Sequence, residues 1–121
     1  MSDRELYERA VAVAANAYAP YSKFHVGAAL LARDGSVIDG VNVENAAYPL
    51  GVCAEKAALA RAVTMGLKPG DLEAIGITAS PCGGCRQWLV EFGIERVTYA
   101  RGDGEVVTVT PAELLPDTFE L

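Results

Sequence analysis

The chain has 121 residues, 51% of them hydrophobic types and 21% charged, a balance typical of a globular chain with a buried core. Sixteen acidic residues outnumber ten basic ones. The formal net charge of −6 argues against a nucleic-acid partner, whose phosphates are bound largely by lysine and arginine. No apolar run is long enough to cross a bilayer and the N-terminus does not resemble an export signal, so we expect a cytoplasmic protein that does not bind membranes.

The N-terminal segment has the pattern of an amphipathic helix. Its apolar residues recur at helical spacing as far as Ala17. Ser2 and Glu5 have the spacing of a capping box, in which each side chain bonds to the backbone of the other residue. Pro20 cannot continue a helix, so the helix should end before it.

The next segment predicts a β-hairpin followed by a second helix. Residues 26–33 and 37–43 are apolar and rich in strand-forming types, and the Asp-Gly pair at 34–35 suits a tight turn between antiparallel strands. After a loop, the alanine-rich residues 53–65 favour a helix that ends at Gly66.

The second half predicts a strand over 72–79, a helix over 86–92, strands over 96–100 and 105–110, and a closing helix from Thr110-Pro111. The order is αββαβαββα. A strand-helix-strand connection normally crosses over right-handed and leaves its two strands parallel, whereas the hairpin is antiparallel. The sequence therefore predicts an α/β fold, a three-layer α/β/α sandwich with a mixed five-stranded sheet, in which residues 1–121 form a single unit.

The three cysteines are an odd number, so they cannot all form disulfides within one chain. Cys82 and Cys85 flank two glycines at the start of one predicted helix and Cys53 begins another, where the helix dipole favours a thiolate. A catalytic zinc site takes three ligands from the protein and leaves the fourth position to water. Glu55, two residues after Cys53, would face that position as a proton carrier without being a ligand.

At these motifs the chain resembles the cytidine deaminase family in its three-cysteine form. The resemblance rests on Cys-Ala-Glu at 53–55 and Pro-Cys-Gly-Gly-Cys-Arg-Gln at 81–87, and it extends through residues 18–24, 42–51 and 114–116. It implies the cytidine deaminase-like fold and one zinc per chain, held by Cys53, Cys82 and Cys85.

The implied reaction is hydrolysis of cytidine or deoxycytidine to the corresponding uridine and ammonia, in pyrimidine salvage. By the resemblance, zinc activates a water that attacks C4 of the base, and Glu55 protonates N3 and then the leaving amine. Phe24 would stack on the base, and Asn42 and Glu44 would bind the ribose hydroxyls. The backbone of Ala54 would contact the pyrimidine edge.

The family is usually homotetrameric, and the resemblance implies that Tyr48 and Phe119 complete the pocket of a neighbouring subunit. Two cations close in sequence to the cysteines, Lys56 and Arg86, could each offset the negative charge of three thiolates. Many relatives carry arginine at the position of Lys56.

Two other functions stay open. A blasticidin S deaminase, which acts on an aminoacylated nucleoside, shares the cysteine motifs, although Phe24 and the Asn-Val-Glu-Asn run at 42–45 favour plain cytidine. A non-catalytic, zinc-stabilised binding module would use the cysteines only to join two helix ends, and it would have no need of Glu55.

Overall fold

The computed structural model describes residues 1–121. Its elements are α1 (Asp3–Val13), β1 (Gly27–Ala32), β2 (Val37–Val41), α2 (Ala54–Thr64), β3 (Leu72–Ile77), α3 (Gly83–Glu91), β4 (Arg96–Ala100), β5 (Val106–Val109) and α4 (Pro111–Leu114). The predicted order is confirmed, and two short 3₁₀ turns are added at Ala14–Asn16 and Tyr48–Leu50. None of the helices combines the length and the apolar character that crossing a membrane requires.

The five strands form one mixed sheet in the order β2-β1-β3-β4-β5. Strand β1 pairs antiparallel with both β2 and β3, β3 pairs parallel with β4, and β4 pairs antiparallel with β5. The parallel pair is the one connected through α3, as the strand-helix-strand pattern predicts. Helix α1 packs on one face of the sheet and α2 and α3 on the other, so the three-layer α/β/α sandwich is confirmed.

The sheet has a buried core on each face. The larger core lies under α2 and α3 and includes Leu30 and Leu59, and the smaller lies under α1 and includes Leu6 and Leu31. Because successive residues of a strand point to opposite faces, Leu30 and Leu31 of β1 serve different cores. Every residue of β1 is buried, so this strand is the fixed centre from which the other elements are positioned.

The predicted helix boundaries needed two corrections. Helix α1 is capped by the Ser2–Glu5 box as predicted, but it ends at Val13, since the chain tightens into the 3₁₀ turn before Tyr18 makes a β-bridge with Val43. Helix α3 begins at Gly83, three residues before the predicted start. Glycine is a poor helix former, and the packing of α3 on the sheet overrides that local preference.

Strands β2 and β3 both end two residues before their predicted limits, at Val41 and Ile77. After Val41 the Asn42 backbone N–H still donates to the Val26 carbonyl at 3.2 Å, and the Asn42 side chain adds a second bond, since its Oδ1 accepts the backbone N–H of Val26 at 2.8 Å. After Ile77, Thr78 Oγ1 accepts the backbone N–H of Gly27 at 3.1 Å. Both strands therefore leave the sheet at the same edge, the edge at which α2 and α3 begin.

Candidate active site

The three cysteines converge where α2 and α3 begin. Cys53 is the N-cap of α2, Cys82 is the N-cap of α3, and Cys85 lies in the first turn of α3. Their three Sγ atoms all lie within 4.8 Å of one another, and Cys53 Sγ is 3.9 Å from Cys82 Sγ. The sequence motifs at 53–55 and 82–85 thus form one cluster at two helix N-termini.

This cluster has the dimensions of a zinc site. With Zn–S bonds of about 2.3 Å in a tetrahedron, two ligand sulfurs are about 3.8 Å apart, which matches the Cys53–Cys82 separation. Burial raises the pKa of both the Cys53 and the Cys85 thiols. Partial burial acts in the same sense on Cys82, but hydrogen bonds from Cys85 lower the pKa of Cys82 overall. Three thiolates this close repel one another, so the donor set suits a divalent cation.

Glu55 lies in the first turn of α2 and is almost fully buried, with 3% of its surface exposed. Burial raises the pKa of its carboxyl group, because a low-dielectric surrounding disfavours the charged form. Its position beside the cysteine cluster, at the bottom of an open pocket, leaves it facing the space that a substrate would fill. A carboxylate in such a place is suited to accept and return protons.

The pocket has a volume of about 890 Å³ and is lined mainly by apolar groups. It brings together most of the residues that the sequence predicted for substrate binding and chemistry: Phe24, Asn42, Glu44, Tyr48, Cys53, Ala54, Glu55 and Cys82. The lining includes two carboxylates but no lysine, arginine or histidine. The pocket therefore suits an uncharged, partly apolar ligand better than a phosphate ester.

Asn42 and Glu44 also hold the loop that carries Phe24. Asn42 Nδ2 donates to the Phe24 carbonyl at 2.8 Å, and its Oδ1 accepts from Val26. Glu44 Oε1 accepts the backbone N–H groups of Tyr21 and Ser22 at 3.0 and 3.1 Å. Each side chain still has unused bonding capacity toward the pocket, one N–H on the amide and further lone pairs on the carboxylate.

Ser22 is a site residue that the sequence reasoning did not single out. Its hydroxyl donates to Glu44 Oε2, accepts the backbone N–H of Phe24 at 3.0 Å, and faces the pocket. The hydroxyl hydrogen bond from Ser22 is the main reason why the pKa of Glu44 lies below its ordinary value. The signal was present in the sequence, since Ser22 lies inside the motif at 18–24.

The two cations near the cysteines have different surroundings. Arg86 donates to the carbonyls of Pro81 and Leu114 and to Ser80 Oγ, at 2.9, 3.0 and 3.2 Å, so its guanidinium joins the start of α3 to α4. Lys56 extends from α2 toward α3, where its Nζ is 5.9 Å from the centre of the Trp88 ring. A Cβ placed on Gly84 would lie 3.7 Å from Lys56 Nζ and 4.0 Å from Cys82 Sγ. Lys56 Nζ and Cys82 Sγ therefore both border the same small space beside Gly84.

Tyr48 and Phe119 are both strongly exposed, at 91% and 70% of their surfaces. Tyr48 lies at the rim of the pocket, whereas Phe119, near the C-terminus, does not line the pocket of its own chain. Leu50, beside Tyr48, is also exposed. Large apolar side chains grouped at a pocket rim are typical of a contact surface.

Three thiols gathered at two helix N-termini beside a buried carboxylate define the site of a metal-dependent hydrolase. The model of the family "cytidine and deoxycytidylate deaminase zinc-binding region" matches residues 1–101. The chain therefore belongs to this family of zinc-dependent deaminases.

Individual relatives agree with this family. The cytidine deaminase of Halalkalibacterium halodurans is 42% identical, over 98% of this chain and 95% of its own length. The crystal structure of cytidine deaminase from Burkholderia pseudomallei superimposes with a TM-score of 0.91 at 43% identity, covering 98% of this chain and all of the other. A more distant relative, the blasticidin-S deaminase of Bacillus cereus, is 30% identical over 78% of this chain and 76% of its own length.

Proposed function

We propose that this protein hydrolyses cytidine or deoxycytidine to the corresponding uridine and ammonia, in pyrimidine salvage. The observation that carries the proposal is that three cysteine sulfurs lie within 4.8 Å of one another, next to the buried Glu55, beside a pocket whose lining has no cationic side chain. The similarity to cytidine deaminases over nearly the full length of the chain supports the same substrate.

In this proposal Cys53, Cys82 and Cys85 hold one zinc ion per chain. Zinc bound there supplies Lewis acidity that makes a water nucleophilic at neutral pH. Glu55 moves the protons: its carboxylate takes one from the attacking water and delivers it to N3 of the ring. It then takes the proton of the new hydroxyl on C4 and gives it to the amine, so that the C4–N bond breaks, ammonia leaves and C4 becomes a carbonyl. Its raised pKa suits the first half of this work, because a carboxylate of higher pKa is a stronger base and takes the proton from water more readily.

The remaining residues of the pocket hold the nucleoside. Phe24 stacks on the base, the backbone of Ala54 binds the pyrimidine edge, and Asn42 and Glu44 bind the ribose hydroxyls. Asn42 and Glu44 bind the Phe24 loop as well, so the same two side chains link ribose binding to the position of the stacking ring. Lys56 offsets charge at the metal, whereas Arg86 acts mainly by joining α3 to α4.

We also propose a homotetramer in which Tyr48 and Phe119 reach the pocket of a neighbouring subunit, with residues 1–121 acting as one unit. The exposure of both aromatic side chains supports this assembly, because in a single chain each of them leaves a large apolar surface in water. A cytoplasmic location fits the three cysteines, which need a reducing compartment to stay available for metal.

Three alternatives predict different behaviour. A nucleotide deaminase would need cations at the pocket to bind a phosphate, and none lines it. A blasticidin S deaminase remains a candidate because of the distant relative in Bacillus cereus. A non-catalytic zinc module would have no use for a carboxylate buried beside the metal. Burying Glu55 is unfavourable for folding, so its presence there favours a catalytic role.

The test is an ultraviolet assay of the zinc-loaded protein with cytidine, deoxycytidine, deoxycytidine monophosphate and blasticidin S, together with metal analysis. We expect one zinc per chain and turnover of the first two substrates at rates far above those for the other two. Turnover of blasticidin S alone would identify the protein as a blasticidin S deaminase instead. Stoichiometric zinc without any turnover would support the binding module.

A further inference from the structure

A glycine near the C-terminal end of β2 lies directly against the helix that begins at the cysteine cluster. Gly40 pairs with Ala28 of β1, and its bare Cα faces the first turn of α2. A Cβ at Gly40 would lie 2.4 Å from the Ala54 carbonyl oxygen and 2.6 Å from the Ala58 backbone nitrogen. Both contacts are with backbone, so no side-chain rotation could relieve them.

Close approach is the reason for glycine at this position. Gly40 does not have the positive φ that favours glycine over other residues, in contrast to Gly35 in the hairpin turn. A glycine inside a strand weakens that strand, and it is found where another backbone must come near. Ala54 and Ala58, the helix residues that meet Gly40, have no exposed surface.

We infer that Gly40 is a positioning residue for the active site, which sets the height of the α2 N-terminus above the sheet. Ala54 stands between Cys53 and Glu55, so the turn that touches Gly40 carries both a zinc ligand and the proton carrier of the proposed function, on which this inference rests. The other two ligands lie at the start of α3, whereas the three atoms nearest to a Cβ at Gly40 all belong to α2. The spacing between Gly40 and α2 therefore decides where Cys53 lies relative to Cys82 and Cys85.

The required displacement is large by the standard of a metal site. Side-chain carbons rarely come closer to other atoms than about 3.0 to 3.4 Å, so a methyl group at Gly40 would separate the layers by about 0.6 to 1 Å. Metal–ligand distances tolerate changes of only about 0.2 Å. Strand β2 is held by its ladder to β1, and Val52, just before Cys53, is held by two backbone hydrogen bonds to Val43, so the displacement falls on the first turn of α2 between these anchors.

The chain offers a matched control on the opposite face of the sheet. A Cβ at Gly76 in β3 would lie 2.7 Å from the Tyr7 backbone nitrogen and 2.8 Å from the Leu6 carbonyl carbon, both in α1. Helix α1 carries no residue of the site. Gly76→Ala therefore forces a similar separation of two layers without moving a zinc ligand.

The experiment compares the parent, Gly40→Ala and Gly76→Ala after loading with zinc or with cobalt. We expect both variants to melt at lower temperature than the parent. Only Gly40→Ala should release zinc to a chromogenic chelator faster than the parent, by about tenfold to a hundredfold. Substitution of residues that orient metal ligands typically weakens metal binding by this factor. Its Co²⁺ absorption spectrum should differ from that of the parent, while the spectrum of Gly76→Ala should not.

Parent-like zinc release and cobalt absorption in Gly40→Ala would overturn the inference, and so would equal changes in Gly76→Ala. If Gly40→Ala does not fold, Ala58→Ser tests the same contact, because it adds one atom to the helix residue that meets Gly40. It should speed zinc release by about twofold to threefold, since it displaces the start of α2 less than Gly40→Ala does. Unchanged release in a folded Ala58→Ser would then count against the inference. A parent that binds no zinc would overturn the proposed function as well, so the two failures are distinguishable.

Discussion

The floor and the rim of the pocket are built in opposite ways. The floor, defined as Ala54 and Glu55, is buried within one chain at the start of α2, which packs on the sheet core. The rim is defined as Phe24 and Tyr48 together with Phe119, which is proposed to come from a neighbouring subunit, and all three side chains are exposed in the single chain. Chemistry needs groups fixed within fractions of an ångström, whereas enclosure of a substrate needs surfaces that open. We therefore expect substitutions on the floor to lower kcat and substitutions at the rim to act mainly on KM.

The largest effect should come from Glu55→Gln on the floor. The amide keeps the shape of the side chain but cannot carry a proton, so kcat should fall by about 10² to 10⁴, the usual contribution of general acid–base catalysis. Zinc content and melting temperature should stay close to those of the parent, and both should be measured on the same sample. A kcat within about tenfold of the parent would contradict the proton-carrier role.

The next largest effect should come from the polar side chains between floor and rim. Asn42→Ala and Glu44→Gln should lower kcat/KM for cytidine by about tenfold to a hundredfold, because a buried hydroxyl of the ribose loses its partner. Turnover of free cytosine, which has no ribose, should change much less. Kinetics with cytidine and with cytosine separate a loss of ribose binding from a general loss of activity.

Ser22→Ala is the matched control for that pair, since Ser22 binds Glu44 and the Phe24 backbone and is assigned no ribose contact. It should affect cytidine and cytosine alike, because it loosens the loop that carries the stacking ring. Equal losses for cytidine and cytosine in Asn42→Ala as well would mean that Asn42 also acts only through the loop.

Rim substitutions should have a smaller effect, and one that depends on assembly. Tyr48→Ala and Phe119→Ala should raise KM several-fold, on the order of 1 kcal/mol for a partly buried aromatic contact, with little change in kcat. Val11→Ala, which trims another exposed apolar side chain far from the pocket on α1, serves as the control. Sedimentation should show whether the variants still form the parent's oligomer. A monomeric parent with full activity would contradict the shared pocket.

The smallest effect should distinguish Lys56 from Arg86. Lys56→Gln should speed zinc release by only about twofold to fivefold, as expected for one partly exposed charge near a helix terminus, without changing the melting temperature. Arg86→Gln should instead lower stability by about 1 to 2 kcal/mol, since it loses carbonyl partners that join α3 to α4. Measuring chelator kinetics and melting on both variants checks the assignment, and a reversed pattern would exchange the two roles.

Much of the fold was predictable because local signals agreed with the tertiary packing. The Ser2–Glu5 box, the Asp-Gly turn at 34–35 and the Thr110-Pro111 helix start are encoded within four residues each, and all appear where predicted. The start of α3 was not predictable in this way, because Gly83 and Gly84 disfavour a helix locally, and the helix that they begin is fixed by the packing of later residues such as Leu89 in the core.

In the candidate site, too, some features follow from local sequence motifs and others only from tertiary packing. The residue types and the spacing of Cys53, Glu55, Cys82 and Cys85 identified the chemistry from sequence alone, because zinc selects few donors and fixes their number. Sequence could not show that Arg86 bonds to the Leu114 carbonyl, that Ser22 holds Glu44, or that Gly40 faces the first turn of α2. Each of these contacts joins residues far apart in the chain, and their distances are decided only when sheet and helices pack together.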